Sequence, residues 1–206
     1  MNRTQFFLKI FKSAERKYRT NSTRLAAEEW KTDWQILIST IMSAQSRDET
    51  TIQIAESLFE KYNSLKKLSN AKYEEVLEIL KSMNYNRTKS QHVIEAAKFI
   101  IRNFKGKIPD EIGELVKIPG VGRKTANLVL TEVHNKDGIT VDTHVHRISN
   151  VLGLVETKTP NQTEKSLRKI APKKYWSKIN RIFVLWGKDV PGRSKEKLLK
   201  KIGLKI

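Results

Sequence analysis

Two residues in this chain carry side chains suited to covalent chemistry, and they stand 18 positions apart: Lys124 and Asp142. Lys124 follows the turn "IPGVGR" and belongs to "RKTANLVLTEVHN", a helical pattern. In the first turn of a helix the dipole disfavours a protonated ammonium. Partial desolvation would weaken the ammonium further and leave an amine that can attack an electrophilic carbon. Asp142 opens "DTHVHRISNVLG" and is placed as the N-cap of that helix, a role worth about 0.5–2 kcal/mol. A carboxylate held by its own helix is already oriented, which suits it to stabilise cationic charge as it develops. The same two residues also read as a helix cap and an unrelated surface lysine, and their types alone leave both readings open.

The turn ahead of Lys124 adds a second chemistry. Gly120 and Gly122 flank Val121, and a helix begins just after them. Glycine lets a backbone approach a ligand closely. The amides of Val121, Gly122 and Arg123 are therefore candidate donors to a phosphate, assisted by the positive end of the helix. Contacts of that kind hold nucleic acid of any sequence. The turn is not a Walker loop, which needs GxxxxGK followed by Ser or Thr, and no strand precedes it as a dinucleotide fingerprint requires. A purely structural hairpin between two helices is the alternative.

Charge points the same way. The 206 residues hold 40 Lys and Arg against 22 Asp and Glu, a formal charge of +18. Residues 161–206 alone contain 14 basic and three acidic side chains. Such an excess predicts a polyanionic partner, the alternative being a merely solvated basic surface. The chain has no cysteine, which removes disulfides, thiolate zinc sites, cysteine-held iron–sulfur clusters and cysteine nucleophiles together. His144 and His146 sit two apart, so they do not share a helix face, and no third ligand accompanies them. No transition-metal site is expected; one histidine should face a groove and the other sit partly buried. The start "MNRTQFFLKIFKSAERKYRT" lacks an apolar span of signal or membrane length and reads as a first helix rather than a transit-like or membrane-surface segment.

The elements that must position these groups all have helical periodicity. Helices are predicted over "DWQILISTIMSAQ", "SRDETTIQIAESLFEKY" with Ser46 and Glu49 as a capping box, "YEEVLEILKSM", and "TKSQHVIEAAKFIIRNFKG" with a Thr88–Gln91 box and Gly106 as C-cap. The polar turn "NYNR" leaves Tyr85 in the open. "PDEIGELVK", the hairpin and "RKTANLVLTEVHN" follow, then the Asp142 helix, a helix started by Thr159, Pro160 and Gln162, and "YWSKINRIFVLWGK". "DVPGRSKEKLLKKIGLKI" reads as a turn and a short basic tail. The pattern predicts an all-α protein of two helical lobes with a groove between them.

"IPGVGRKTANLVL" followed by "VDTHVHRI" strongly resembles the helix-hairpin-helix DNA glycosylases with the Gly-Pro-Asp segment, and within them the endonuclease III type. "LISTIMSAQSRD" is similar to that family's segment around "SAQ", and "KSMNYNRTKS" to its lesion-side loop, so the resemblance runs from about Asp33 to Gly187. It implies a six-helix domain over residues 26–136 that carries the hairpin. A second domain, residues 1–25 plus 137–206, would carry the aspartate and the basic tail, with a DNA and base-binding cleft between the lobes. A damaged base would be flipped out of the duplex into that cleft. By motif position Lys124 would be the amine nucleophile and Asp142 the essential carboxylate. Gln45 would fill the space vacated by the base. Tyr85 stands where the family commonly has an apolar wedge, and the carbonyls of Val116, Ile118 and Val121 could hold Na+ or K+. The family usually ends with four cysteines around a [4Fe–4S] cluster; this chain departs from that pattern, so no cofactor is expected there. Arg193, Lys195 and Lys197 become the phosphate candidates of the region.

The function expected is a bifunctional base-excision glycosylase with abasic-site β-lyase activity, acting as a monomer on damaged double-stranded DNA, with no membrane partner. A cytoplasmic, nucleoid-associated protein fits that activity, a nucleus or organelle being the other settings. A thymine or uracil mismatch glycosylase, a non-enzymatic structure-selective DNA-binding protein and a plain protein-interaction module are the alternatives.

Overall fold

The computed structural model describes residues 2–134 and 136–204. Its helices are α1 (Arg3–Tyr18), α2 (Asp33–Ser43), α3 (Asp48–Lys61), α4 (Leu65–Ser69), α5 (Tyr73–Ile79), α6 (Asn86–Phe104), α7 (Ile112–Leu115), α8 (Arg123–Glu132), α9 (Thr143–Val151), α10 (Pro160–Ile170), α11 (Trp176–Asp189) and α12 (Lys195–Lys201), with a 3-10 turn at Lys173–Tyr175. No strand occurs among the described residues. The chain forms two compact units, one of Arg24–Asn135 and one of Met1–Thr23 with Lys136–Ile206.

In the first of these units α2 is the central helix and packs against α3, α6 and α8. Leu37, Ile38, Ile41 and Met42 of α2 are buried among Val93, Ala97 and Ile100 of α6 and Ala126 and Val129 of α8. Trp30 and Trp34 each meet the Phe59 ring edge-on at 5.0 Å, closing the end of that core. The unit has one short helix more than the sequence pattern predicts. Ser64 caps α4 by accepting from the Lys67 amide, and Leu65 and Leu68 bury its apolar side. Leu65 and Leu68 are the only apolar residues in its five, LKKLS, and no longer helical pattern surrounds them.

Two expected helix starts are misplaced. α3 begins at Asp48 after Arg47, and Ser46 forms no capping box; its hydroxyl instead accepts a hydrogen bond from Lys89 Nζ at 2.7 Å. α6 begins at Asn86, so Thr88 lies inside the first turn, and the Gln91 amide donates to Glu95 rather than to a cap. In both cases a tertiary contact or a strained turn decides the start over the local motif. α6 ends on two left-handed residues, Lys105 (φ 53) and Gly106 (φ 85), with Lys105 taking the C-cap position assigned to the glycine.

The second unit is built on α11, which packs against α1 and α9. Phe7 and Phe11 of α1 stack at 5.5 Å, Phe11 lies near Phe183, and Phe183 meets Trp186 edge-on. α9 and α11 approach so closely that a Cβ at Gly187 would run into the His144 ring. The Thr159–Pro160–Gln162 start forms a capping box at α10 as its sequence predicts. Beyond α11 the chain is more ordered than a turn and a tail: α12 is capped by Ser194 and buries Leu198 and Leu199.

Candidate active site and nucleic-acid interface

The hairpin joins α7 to α8 and divides its glycines by task. At Gly120 (φ 79) a Cβ would lie 2.9 Å from Ile41 Cγ2 and 3.0 Å from His92 Cβ, so the bare backbone is what lets the turn seat against α2 and α6. Gly122 has no atom within 4 Å of where a Cβ would stand, and its backbone is extended (φ −88, ψ 176). That glycine leaves space open to the outside. Val121 is buried, and its amide donates to the Ile118 carbonyl at 3.0 Å. Of the three amides singled out in the sequence, this one is therefore spent within the turn. Gly122 is the N-cap of α8 and offers no side-chain cap, and the first turn contains no acidic residue. An anion is the natural complement to such an uncapped helix start.

Lys124 is the second residue of α8 and is exposed, as is Arg123. The free protein does not itself desolvate this lysine. Val116 is the C-cap of α7 and exposed, while Ile118 is buried, its carbonyl already accepting from Val121.

Gln45 and Tyr85 come from two turns of the same unit, one between α2 and α3 and one between α5 and α6. Both residues are exposed and both adopt left-handed backbone, Gln45 at φ 53 and Tyr85 at φ 58. For residues other than glycine that conformation costs roughly 1–2 kcal/mol and persists only where neighbours impose it. Asn84 Nδ2 donates to the Gln45 carbonyl at 3.1 Å, and Asn86 Nδ2 to the Lys81 carbonyl at 2.8 Å. Met83 is buried beneath the second turn. Tyr85 is 64% exposed, the most exposed large apolar side chain described.

In the other unit Asp142 caps α9: its Oδ1 accepts from the Val145 amide at 2.8 Å. The carboxylate is half-buried and held by its own helix, as its sequence position predicts. Both histidines nearby are half-buried. His146 Nδ1 lies 2.7 Å from the Thr163 hydroxyl, whereas His144 lies against Gly187. Among the described residues no group of three His, Cys, Asp or Glu is placed to hold a metal.

Arg147, five residues beyond Asp142, carries no signal of its role in the sequence alone. Its guanidinium donates to the carbonyls of Gly187 at 2.9 Å and Val190 at 3.2 Å, and also to that of Gly192. Burial depresses its pKa, the Asp142 carboxylate opposes that shift, and Arg193 adds to it. One side chain thus ties α9 to the segment that leads into the basic helix. Arg193, Lys195 and Lys197 are all exposed there. Asp189 completes the anchoring by accepting from the Tyr18 hydroxyl at 2.7 Å and pairing with Lys201 at 2.9 Å. With no cysteine in the chain, these residues do not fit a [4Fe–4S] cluster, and the segment is held by guanidinium, carboxylate and leucine contacts instead.

Residues 38–173 match the family described as HhH-GPD superfamily base excision DNA repair protein, where HhH is the helix-hairpin-helix, and the chain belongs to it. Within that family it is similar to endonuclease III of Thermotoga maritima, 41% identical over 157 residues that span 76% of this chain and 74% of that one. It is also similar to endonuclease III of Bacillus subtilis, 33% identical over 75% of this chain and 71% of that one. A solved structure of a trapped endonuclease III–DNA covalent intermediate superposes with a TM-score of 0.85 at 28% identity, covering 94% of this chain and 90% of that one. A thermostable thymine-DNA glycosylase shares the fold, with a TM-score of 0.84 at 18% identity over 97% and 96% of the two chains.

Proposed function

We propose that this chain is a bifunctional base-excision glycosylase and abasic-site β-lyase that removes oxidised pyrimidines from damaged double-stranded DNA through a lysine Schiff base. The observation that carries the reading is the placement of Lys124 in the first turn of α8, directly after the uncapped Gly122 corner. A phosphate seated on that corner brings the sugar of its own nucleotide toward the amine. Lys124 is exposed in the free protein, so its amine is open to an incoming duplex.

The Lys124 Nζ lone pair attacks C1′, the glycosidic C–N bond breaks, and the electron pair leaves with the base, which takes up a proton. Asp142 stabilises positive charge on the sugar as the bond lengthens and accepts a proton from the attacking amine. Opening of the sugar ring yields the Schiff base. Loss of a C2′ proton then expels the 3′ phosphate by β-elimination, and water releases Lys124 from the product. Gln45 occupies the space left by the extruded base, Tyr85 enters the stack beside it, and Arg193, Lys195 and Lys197 contact phosphates. The carbonyls of Val116, Ile118 and Val121 offer a seat for Na+ or K+ at the hairpin. A cytoplasmic, nucleoid-associated setting fits such a substrate, a nucleus or organelle being the other settings.

Duplexes carrying thymine glycol, dihydrouracil, a uracil or thymine mismatch, 8-oxoguanine or an abasic site test the reading, with base release and strand cleavage scored separately. The account expects release of the two oxidised pyrimidines with coupled cleavage 3′ to the site. Release of mismatched uracil or thymine without cleavage would favour the mismatch glycosylase. Binding without release or cleavage would favour a non-enzymatic protein.

A further inference from the structure

The mechanism gives no task to one buried lysine. Lys89, in the first turn of α6, is 4% exposed, and burial pushes its pKa down to about 8. Among the described residues no carboxylate pairs with it; its Nζ donates to the Ser46 hydroxyl at 2.7 Å. Both features disfavour an ammonium here, since burial strips its hydration and the helix start repels it. A leucine or methionine would fill the position more cheaply, on a face that continues through Val93, Ala97 and Ile100. What the lysine adds is one directed bond, and that bond ends on the residue next to Gln45.

A second bond runs between the same two turns, from Asn84 Nδ2 to the Gln45 carbonyl. Asn84 is the residue before Tyr85, and Lys89 lies one helical turn after it. Two bridges therefore join the left-handed Gln45 corner to the left-handed Tyr85 corner, one from the residue before Tyr85 to the Gln45 carbonyl and one from the helix after it to the Ser46 hydroxyl. We propose that Lys89 and Asn84 are positioning residues that fasten these two turns into one preset unit, so that Gln45 and Tyr85 are presented to the duplex together. The strain at φ 53 and φ 58 is then maintained in the free protein rather than acquired on binding. The inference rests on the reading that Gln45 enters the duplex.

The test compares single-turnover cleavage at an abasic site in double-stranded and in single-stranded DNA by the full chain carrying Gln45→Ala, Lys89→Met, Lys89→Arg, Asn84→Ala and the Gln45→Ala/Lys89→Met pair. Only the duplex has a gap in a stack to fill. Lys89→Met is expected to slow duplex cleavage about tenfold, the scale of one lost hydrogen bond from a charged group. Its single-strand rate should stay within about twofold, Lys89→Arg should recover much of the duplex rate, and Lys89→Met should add little to Gln45→Ala. Asn84→Ala, at an exposed position, is expected to show the same selective loss and carries the test if Lys89→Met does not fold. Equal losses on the two substrates, or full additivity with Gln45→Ala, would overturn the proposal while the insertion reading stands. A Gln45→Ala protein that cleaves duplex at the wild-type rate would overturn the insertion reading itself, and the proposal with it.

Discussion

The two hairpin glycines differ in what a side chain would meet: packed neighbours at Gly120, open space at Gly122. Gly120→Ala would force a Cβ against Ile41 and His92 on backbone at φ 79, and should cost roughly 1–3 kcal/mol in a denaturant titration. Gly122→Ala meets nothing and should change stability by less than about 1 kcal/mol, yet weaken duplex binding by occupying the space a phosphate needs. Lys89 gives a pH signature. Its folded pKa of about 8 lies below the ordinary 10.5, so between those values the unfolded chain binds more protons. Stability relative to Lys89→Met should therefore rise as pH increases from about 8 to 10.5 and be lowest, relative to that variant, at neutral pH. Denaturant midpoints of the two proteins across that window check the sign. At this scale the sequence spoke clearly about local chemistry: Asp142 as a cap and Tyr85 as an exposed aromatic both follow from neighbouring residues alone. It was silent about Lys89 and Arg147, whose partners are 43 and 40 to 45 positions away. The one signal available was a lysine in register with the apolar face of α6.

At the scale of elements, periodicity identified the long helices because each buries one face, and it failed where an element is too short to have a face. α4 and α12, of five and seven residues, escape it, whereas α5 and α7, of seven and four, are found because longer helical patterns contain them. The capping motifs do not set the starts of α3 and α6, because Ser46 is engaged by Lys89 and because α6 springs from a left-handed tyrosine rather than a capping hydroxyl. The Asp142 helix depends on two contacts with α11 and the segment after it. Gly187→Ala would drive a methyl into His144, and Arg147→Met would strip a charged donor from the carbonyls of Gly187, Val190 and Gly192. Each should cost about 2–4 kcal/mol of stability by thermal or chemical denaturation. Because α9 carries the candidate carboxylate, cleavage at saturating DNA should fall in both variants even under conditions where they remain folded.

At the scale of the whole molecule the basic excess is the property that should dominate affinity. A charge of +18 predicts duplex binding that weakens steeply with salt through counterion release. Replacing Arg193, Lys195 or Lys197 with Ala should each reduce the slope of log affinity against log salt by roughly one, with little change in preference among lesions. The central claim is narrower than binding: Lys124 forms the covalent link to the sugar. Borohydride trapping on a duplex containing thymine glycol tests it most directly. The account predicts a protein–DNA cross-link with the wild-type chain and none with Lys124→Ala, although the variant still binds the duplex; base release with no trappable adduct, or an undiminished cross-link in Lys124→Ala, would contradict it.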